Sequence, residues 1–347
     1  MSERNLLPLA EESSVAVIGE FARTPRLQGG GSSHINPTKL DTAWGSMQEA
    51  TGDRASFAAG FAFDGSNAEA LREEAVALAG ASDIAVVFLG LTQAEESEGF
   101  DRTHIDLPAV QLELLDAVRD ANENVVVVLS HGAVVALPFT DSVPAIVESW
   151  LLGQAGGSAV VDVLTGAVNP SARLAETVPH RLQDTPAYGA FPGSLCHVRY
   201  GEGLLVGYRW YDQREMSVAY PFGHGLSYST FEYGEPTAVL ADNVDVAIRV
   251  AITNTSHRHG REIVQVYVSR EQSIVDRAPH PVVGPIVRQQ LTGMQDMAES
   301  ATDSGIMEED SMMMLMSSFP IGRLAEFPGM GVTKQQVAEL IALGNGS

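Results

Sequence analysis

Cysteine is almost missing from this chain: Cys196 is the only one in 347 residues, which excludes an intramolecular disulfide and any cysteine-based zinc site. Lysine is nearly as scarce, with Lys39 and Lys334 the only two among 21 basic residues. Acidic residues number 44, and the net charge of −23 argues against a nucleic-acid backbone or an anionic membrane as partner. No apolar run approaches the roughly 20 residues needed to span a bilayer. The opening Met1-Ser2-Glu3-Arg4-Asn5 lacks the basic-then-apolar pattern of a secretory signal. A cytoplasmic, soluble protein is the expectation.

Several kinds of chemistry lack their usual parts. Gly29-Gly30-Gly31-Ser32-Ser33 is glycine-rich, yet it has no Gly-Lys-Ser/Thr ending and does not match GxGxxG. No serine occupies a G-x-S-x-G elbow. The nine histidines are scattered. His257 and His259 fall in a turn and read as exposed, and His224 reads as a structural histidine bonding local backbone. No metal or organic cofactor is expected.

What the chain does have is a regular alternation of strand and helix signals over residues 1–185. Ser14–Gly19, Ile84–Leu89, Asn124–Ser130 and Ala145–Trp150 are largely apolar runs of strand length. Between them Asn67–Ala79, with Asn67 as cap, and a segment opened by Leu107-Pro108 carry apolar stripes at helical spacing. Ser158–Leu164 reads as a further helix. Continuous apolar strands separated by helices predict an α/β sandwich whose mainly parallel sheet is flanked by helices.

Composition then changes. Residues 186–232, rich in glycine, proline and aromatics, read as an irregular connector in which Tyr208, Trp210 and Tyr211 pack rather than stack on ligand. Val244–Ile252 alternates at period two and Ile263–Val268 repeats the signal, predicting a partial β domain over 233–284. Its open edge predicts pairing with a second copy. From 285 to 347 the chain reads as a helical extension holding eight of the eleven methionines.

The densest cluster of chemistry is Glu96-Ser97-Glu98-Gly99-Phe100-Asp101-Arg102, directly after the Ile84–Leu89 strand. Carboxylates delivered to the C-terminal end of a core strand stand at the crevice where open α/β sheets bind ligands. A carboxyl held there, partly desolvated and near other negative charge, can donate a proton. The alternative from spacing alone is a solvated acidic loop.

Ordered motifs add to this reading. Asn5–Leu9, Val15–Gly19, Gln28–Ser33, Glu96–Arg102 with Leu107-Pro108 and Gln111, Trp150–Gly157, Asn169-Pro170-Ser171, Gly207–Tyr211 and Pro221–Tyr228 together resemble the region after the barrel in glycoside hydrolase family 3. The resemblance implies an α/β-sandwich domain followed by a fibronectin type III-like domain, here truncated. It implies a retaining mechanism whose nucleophilic aspartate lies on a preceding (β/α)8 barrel and whose acid/base is a glutamate on this domain. The Glu-Gly-aromatic-Asp-Arg pattern places that glutamate at Glu98, with Glu96 as the alternative. Asp101 and Arg102 would order the loop, Arg102 by pairing with a carboxylate. Gly30, Gly31, Ser32 and Ser33 would line the rim of the sugar site.

Nothing in the chain resembles the barrel, so the resemblance implies that a separate chain supplies it. The implied substrate is a β-linked glucoside or short oligosaccharide. Two rivals stand beside this: a non-catalytic remnant or carbohydrate-binding module, and a flavodoxin-like nucleotide binder, which the missing phosphate loop disfavours.

Overall fold

The computed structural model describes residues 6–195, 197–240 and 246–267. Met1–Thr230 with Ser256–Ile263 make one compact unit, and a second begins at Phe231.

The first unit grows from the apolar runs. Strands β1 (Val15–Ile18) and β3 (Ile84–Gly90) are buried at every position, and β4 (Val125–Ser130) at all but its last. Strands of that kind need cover on both faces. With β2 (Ala55–Ala58) and β5 (Ala145–Glu148) they form a wholly parallel five-stranded sheet in the order β2-β1-β3-β4-β5. Val17 and Val126 flank Val86 in register. Helices α1 (Ala43–Thr51), α2 (Ala68–Gly80), α3 (Ala109–Ala121) and α4 (Gly156–Thr165) provide the cover, α1 packing with α4 and α2 with α3. Leu114, Leu115 and Val118 of α3 and Val160, Val161 and Leu164 of α4 join the strand residues in one core. Each such side chain contributes roughly 1.5–3 kcal/mol, so the sheet is a firm base for its loops.

Departures from the sequence reading have local causes. Asn67 precedes α2 as expected, but it is left-handed (φ 54°) and its side chain caps nothing. The preceding turn is closed instead by the Ser66 N–H donating to Asp64 (2.9 Å). β5 stops at Glu148, because Trp150 adopts φ 48° and its N–H turns back to Glu148 Oε1 (3.0 Å). The sequence reading had no counterpart for α1 or β2. α1 carries Gly45 and few large apolar residues, and β2, Ala-Ser-Phe-Ala, is a short edge strand.

The 186–232 connector is mostly irregular, with one short helix α5 (Tyr208–Gln213). Its aromatics pack against each other and against the residues just before the connector. Trp210 Nε1 donates to the Asp184 carbonyl (3.0 Å), and the Tyr208 ring stacks on Phe222 with centres 5.1 Å apart. Backbone bonds from Leu174 to His224 and from Val178 to Tyr220, each 2.8 Å, strap the 220–224 segment to 174–178. The His224 ring lies 4.8 Å from that of Tyr220, a packing role.

In the second unit β6 (Phe231–Tyr233) pairs antiparallel with β9 (Ile252–Asn254), and β7 (Thr237–Leu240) with β8 (Val246–Arg249). The single strand expected over 244–252 divides where the Ala251 carbonyl accepts from the Gly234 N–H (2.9 Å). Residues 263–267 form no strand. The rest of the 233–284 domain and the 285–347 extension fall outside the described residues. Among those described, no helix is long and apolar enough to cross a membrane.

Candidate active site

The strand order fixes where a site can form. The chain leaves β1 toward β2 on one side and returns to β3 on the other. Loops leaving the C-terminal ends of β1 and β3 therefore diverge and open a crevice, the place where doubly wound sheets bind ligands. The Gly30–Ser33 segment follows β1, and the Glu96–Arg102 segment follows β3. Sequence reasoning placed candidates on both, and the fold brings the two together.

Glu96 is held fast. Its Oε2 accepts from Arg26 Nη1 at 2.6 Å and from the Gly132 N–H at 2.7 Å. Arg26 also donates to the carbonyls of Leu91 and Glu96, both at 3.0 Å. Partial burial pushes the Glu96 carboxyl up, but the Gly132 N–H and the Arg26 guanidinium outweigh it, with Arg102 assisting, and hold it below the ordinary range. A carboxylate so paired is built to stay ionised.

Glu98 stands differently. It is exposed, and its Oε2 accepts from the Ser32 N–H at 2.6 Å. Ser32, through its hydroxyl and its N–H, holds this carboxyl below the ordinary range too. The two loops touch so closely that side chains are excluded from the glycines. A Cβ on Gly30 would lie 2.5 Å from Ser97 Oγ, and one on Gly31 2.5 Å from the Glu98 Cβ. The turn is drawn shut behind them by Gln28, which donates to the Ile35 carbonyl (2.7 Å) and accepts from its N–H (3.0 Å). Ser33 closes the short 3-10 turn Gly31–Ser33 and is exposed.

Asp101 is exposed on the same loop. Among the described residues Arg102 forms no ion pair with a carboxylate, contrary to expectation. Its Nη2 donates to the Val134 carbonyl (2.9 Å), and the pairing role belongs to Arg26, which lies 70 residues from Glu96 in sequence. That separation hides the partnership from any local motif.

The sequence reading also passed over a group behind the loop. His131, buried after β4, sets Nε2 3.0 Å from Glu148 Oε2 and meets the Trp150 ring edge-on. Neither ring nitrogen has a hydrogen-bond partner among the described residues, so the ring is held by packing. Glu176 lies at the rim of a cavity of about 310 Å³ lined also by Thr177, Thr185, Tyr208 and Tyr211. Desolvation raises its carboxyl above the ordinary range; His131 and Arg102 oppose that, while Glu148 reinforces it. Among the described residues, no three His, Cys, Asp or Glu side chains gather as a metal site.

Residues 2–228 match the model of the glycosyl hydrolase family 3 C-terminal domain. An exo-α-(1→6)-L-arabinopyranosidase of Bifidobacterium longum is 47% identical over 279 residues, 80% of this chain and 37% of the relative. Thermostable β-glucosidase B of Acetivibrio thermocellus is 43% identical over 82% of this chain and 38% of its own length. The crystal structure of a Bifidobacterium adolescentis GH3 β-glucosidase superposes with a TM-score of 0.68 at 48% identity, covering 72% of this chain and 37% of that one. The chain thus spans 37–38% of the length of these relatives.

Proposed function

The chain belongs to glycosyl hydrolase family 3, and from that premise we propose that it bears the general acid/base of a retaining, β-glucosidase-type enzyme. In this reading Glu98 protonates the leaving glycosidic oxygen, then deprotonates the water that attacks the glycosyl-enzyme. The observation that supports Glu98 over Glu96 is the division of labour in the loop. Glu96 is committed to Arg26 and Gly132, whereas Glu98 is exposed above the crevice beside the Gly30–Ser32 turn.

As it stands, the hydroxyl and N–H of Ser32 hold the Glu98 carboxyl below the ordinary range. The mechanism needs a second carboxylate to raise it. Retaining enzymes place their two carboxyls about 5–5.5 Å apart, close enough for one charge to push the other toward protonation. We assign that second carboxylate to an aspartate on a (β/α)8 barrel outside these 347 residues, which also grips most of the sugar ring. Gly30, Gly31, Ser32 and Ser33 then line the rim of the cleavage site, beside the Glu98 carboxylate that the Ser32 N–H holds.

The substrate class is a terminal β-linked glucoside or short oligosaccharide. The names of the relatives add α-L-arabinopyranosides to the panel worth assaying. Mixing the chain with the barrel portion of the Acetivibrio relative and assaying aryl glycosides tests the reading. Glu98→Gln is expected to lower turnover by about 10²–10⁴-fold, most for poor leaving groups, with azide restoring rate on good ones. Full activity in Glu98→Gln would remove this residue from the chemistry.

A further inference from the structure

We propose that Arg26 and Glu96 are positioning residues for Glu98: their ion pair sets the register of the loop after β3 against the Gly30–Ser32 turn. The inference deepens the acid/base reading of Glu98 and takes its significance from it, but its test requires no catalysis.

The pair locks the loop at several points at once. The Arg26 side chain, 4% exposed, reaches from the loop after β1 to one beginning just beyond β3. Its Nη1 bonds the Leu91 carbonyl at 3.0 Å, where that loop starts, and Glu96 Oε2 at 2.6 Å; its Nη2 takes the Glu96 carbonyl at 3.0 Å. One rigid guanidinium therefore spans the loop from entry to turn, which the compact ammonium of lysine does not reproduce. The Glu96 carboxylate simultaneously takes the Gly132 N–H beyond β4 at 2.7 Å. Three neighbouring strand ends are thus joined through one carboxyl oxygen.

Little slack remains between the lock and the proposed acid. Glu98 lies two positions beyond Glu96 with Ser97 alone between them, at most about 7 Å of chain. On the far side the loop already presses on glycines that leave no room for a Cβ: the Gly30 position faces Ser97, and the Gly31 position faces Glu98, each at 2.5 Å. A loop released at Glu96 cannot slide inward; it lifts away and takes the Glu98 carboxylate off the Ser32 amide.

A purely stabilising ion pair makes a different prediction, and NMR separates the two. In the full chain, the ¹³C carboxyl signal of Glu98 is followed with pH and assigned by its loss in Glu98→Gln. In the parent chain it titrates below the ordinary glutamate value of about 4.3. In Arg26→Lys, which keeps the charge, and in Glu96→Gln, which keeps the shape, it moves up toward that value. Arg173→Lys disturbs another enclosed ion pair, with Glu262 at 2.7 Å, and is expected to lower the melting temperature while leaving Glu98 unmoved. An unchanged Glu98 titration in both clamp variants overturns the proposal, as does an equal shift in Arg173→Lys. Failure of the acid/base reading would appear elsewhere, as undiminished activity of Glu98→Gln with its barrel partner, while the titration result stood.

Discussion

Gly31 lies directly beneath Glu98: a methyl group on its Cα would stand 2.5 Å from the Glu98 Cβ and 2.7 Å from its Oε2. Gly31 also has φ +84°, where an L side chain is strained. Gly31→Ala is therefore expected to displace Glu98 as well as to strain the turn. The cost in stability should be about 1–2 kcal/mol, while turnover with a barrel partner falls further than that figure alone explains. Urea unfolding beside aryl-glucoside kinetics separates the two effects. Kinetics unchanged from the parent chain would show that Glu98 does not depend on this contact.

A second expectation concerns Gln111. Its buried side chain leaves α3 to satisfy both backbone groups of Gly90, accepting from the N–H and donating to the carbonyl at 2.9 Å each. Gln111→Leu strands two buried polar groups, at about 1–3 kcal/mol apiece. Chemical denaturation should register a loss of about 2–4 kcal/mol despite the greater hydrophobicity of leucine. Since Gly90 ends β3 where the acid loop begins, amide exchange should also quicken at Leu91 and Thr92.

Arg26→Ala removes the counter-charge from Glu96 and leaves a largely enclosed carboxylate. Breaking such a pair costs about 3 kcal/mol, and the double variant Arg26→Ala/Glu96→Ala should recover part of it. If the double variant is as unstable as the sum of the singles, the two residues are not coupled.

Two carboxyls predict opposite pH behaviour. Glu96 titrates lower folded than unfolded, despite burial, because of Gly132 and Arg26. Its contribution is present above the unfolded value of about 4.3 and fades as pH falls through the folded one. Glu176 titrates higher when folded, chiefly through desolvation, so its contribution is full below about 4.3 and fades as pH rises through the folded value. Unfolding midpoints measured across the acid range should therefore flatten on the low side in Glu96→Gln. In Glu176→Gln they should improve relative to the parent as pH rises beyond the unfolded value of about 4.3.

Much of the first unit could be read from the chain because its central strands carry one unmistakable signal. Ile84–Leu89 and Val125–Leu129 are apolar without a break, and only a strand covered on both faces tolerates that. β2 escaped because Ala-Ser-Phe-Ala is short and partly exposed at an edge. The acid loop was legible as a motif, and so was the glycine turn. Their anchor was not: Arg26 and Glu96 meet only because strands β1 and β3 are neighbours, a fact of topology that no local pattern contains. The same reason defeated the expected partner of Arg102, whose nearest acceptor proved to be the carbonyl of Val134. The β pattern of Ile263–Val268 found no ladder among the described residues, since alternation marks a strand only where a second strand receives it.

The lock on the loop after β3 is drawn entirely from Leu91, Glu96, Gly132 and Arg26, all on segments that leave the ends of three neighbouring strands of one sheet. Whatever module this domain is joined to by gene fusion or exchange, the glutamate travels with its own fastening. Sequence change elsewhere can then accumulate without altering how Glu98 is held.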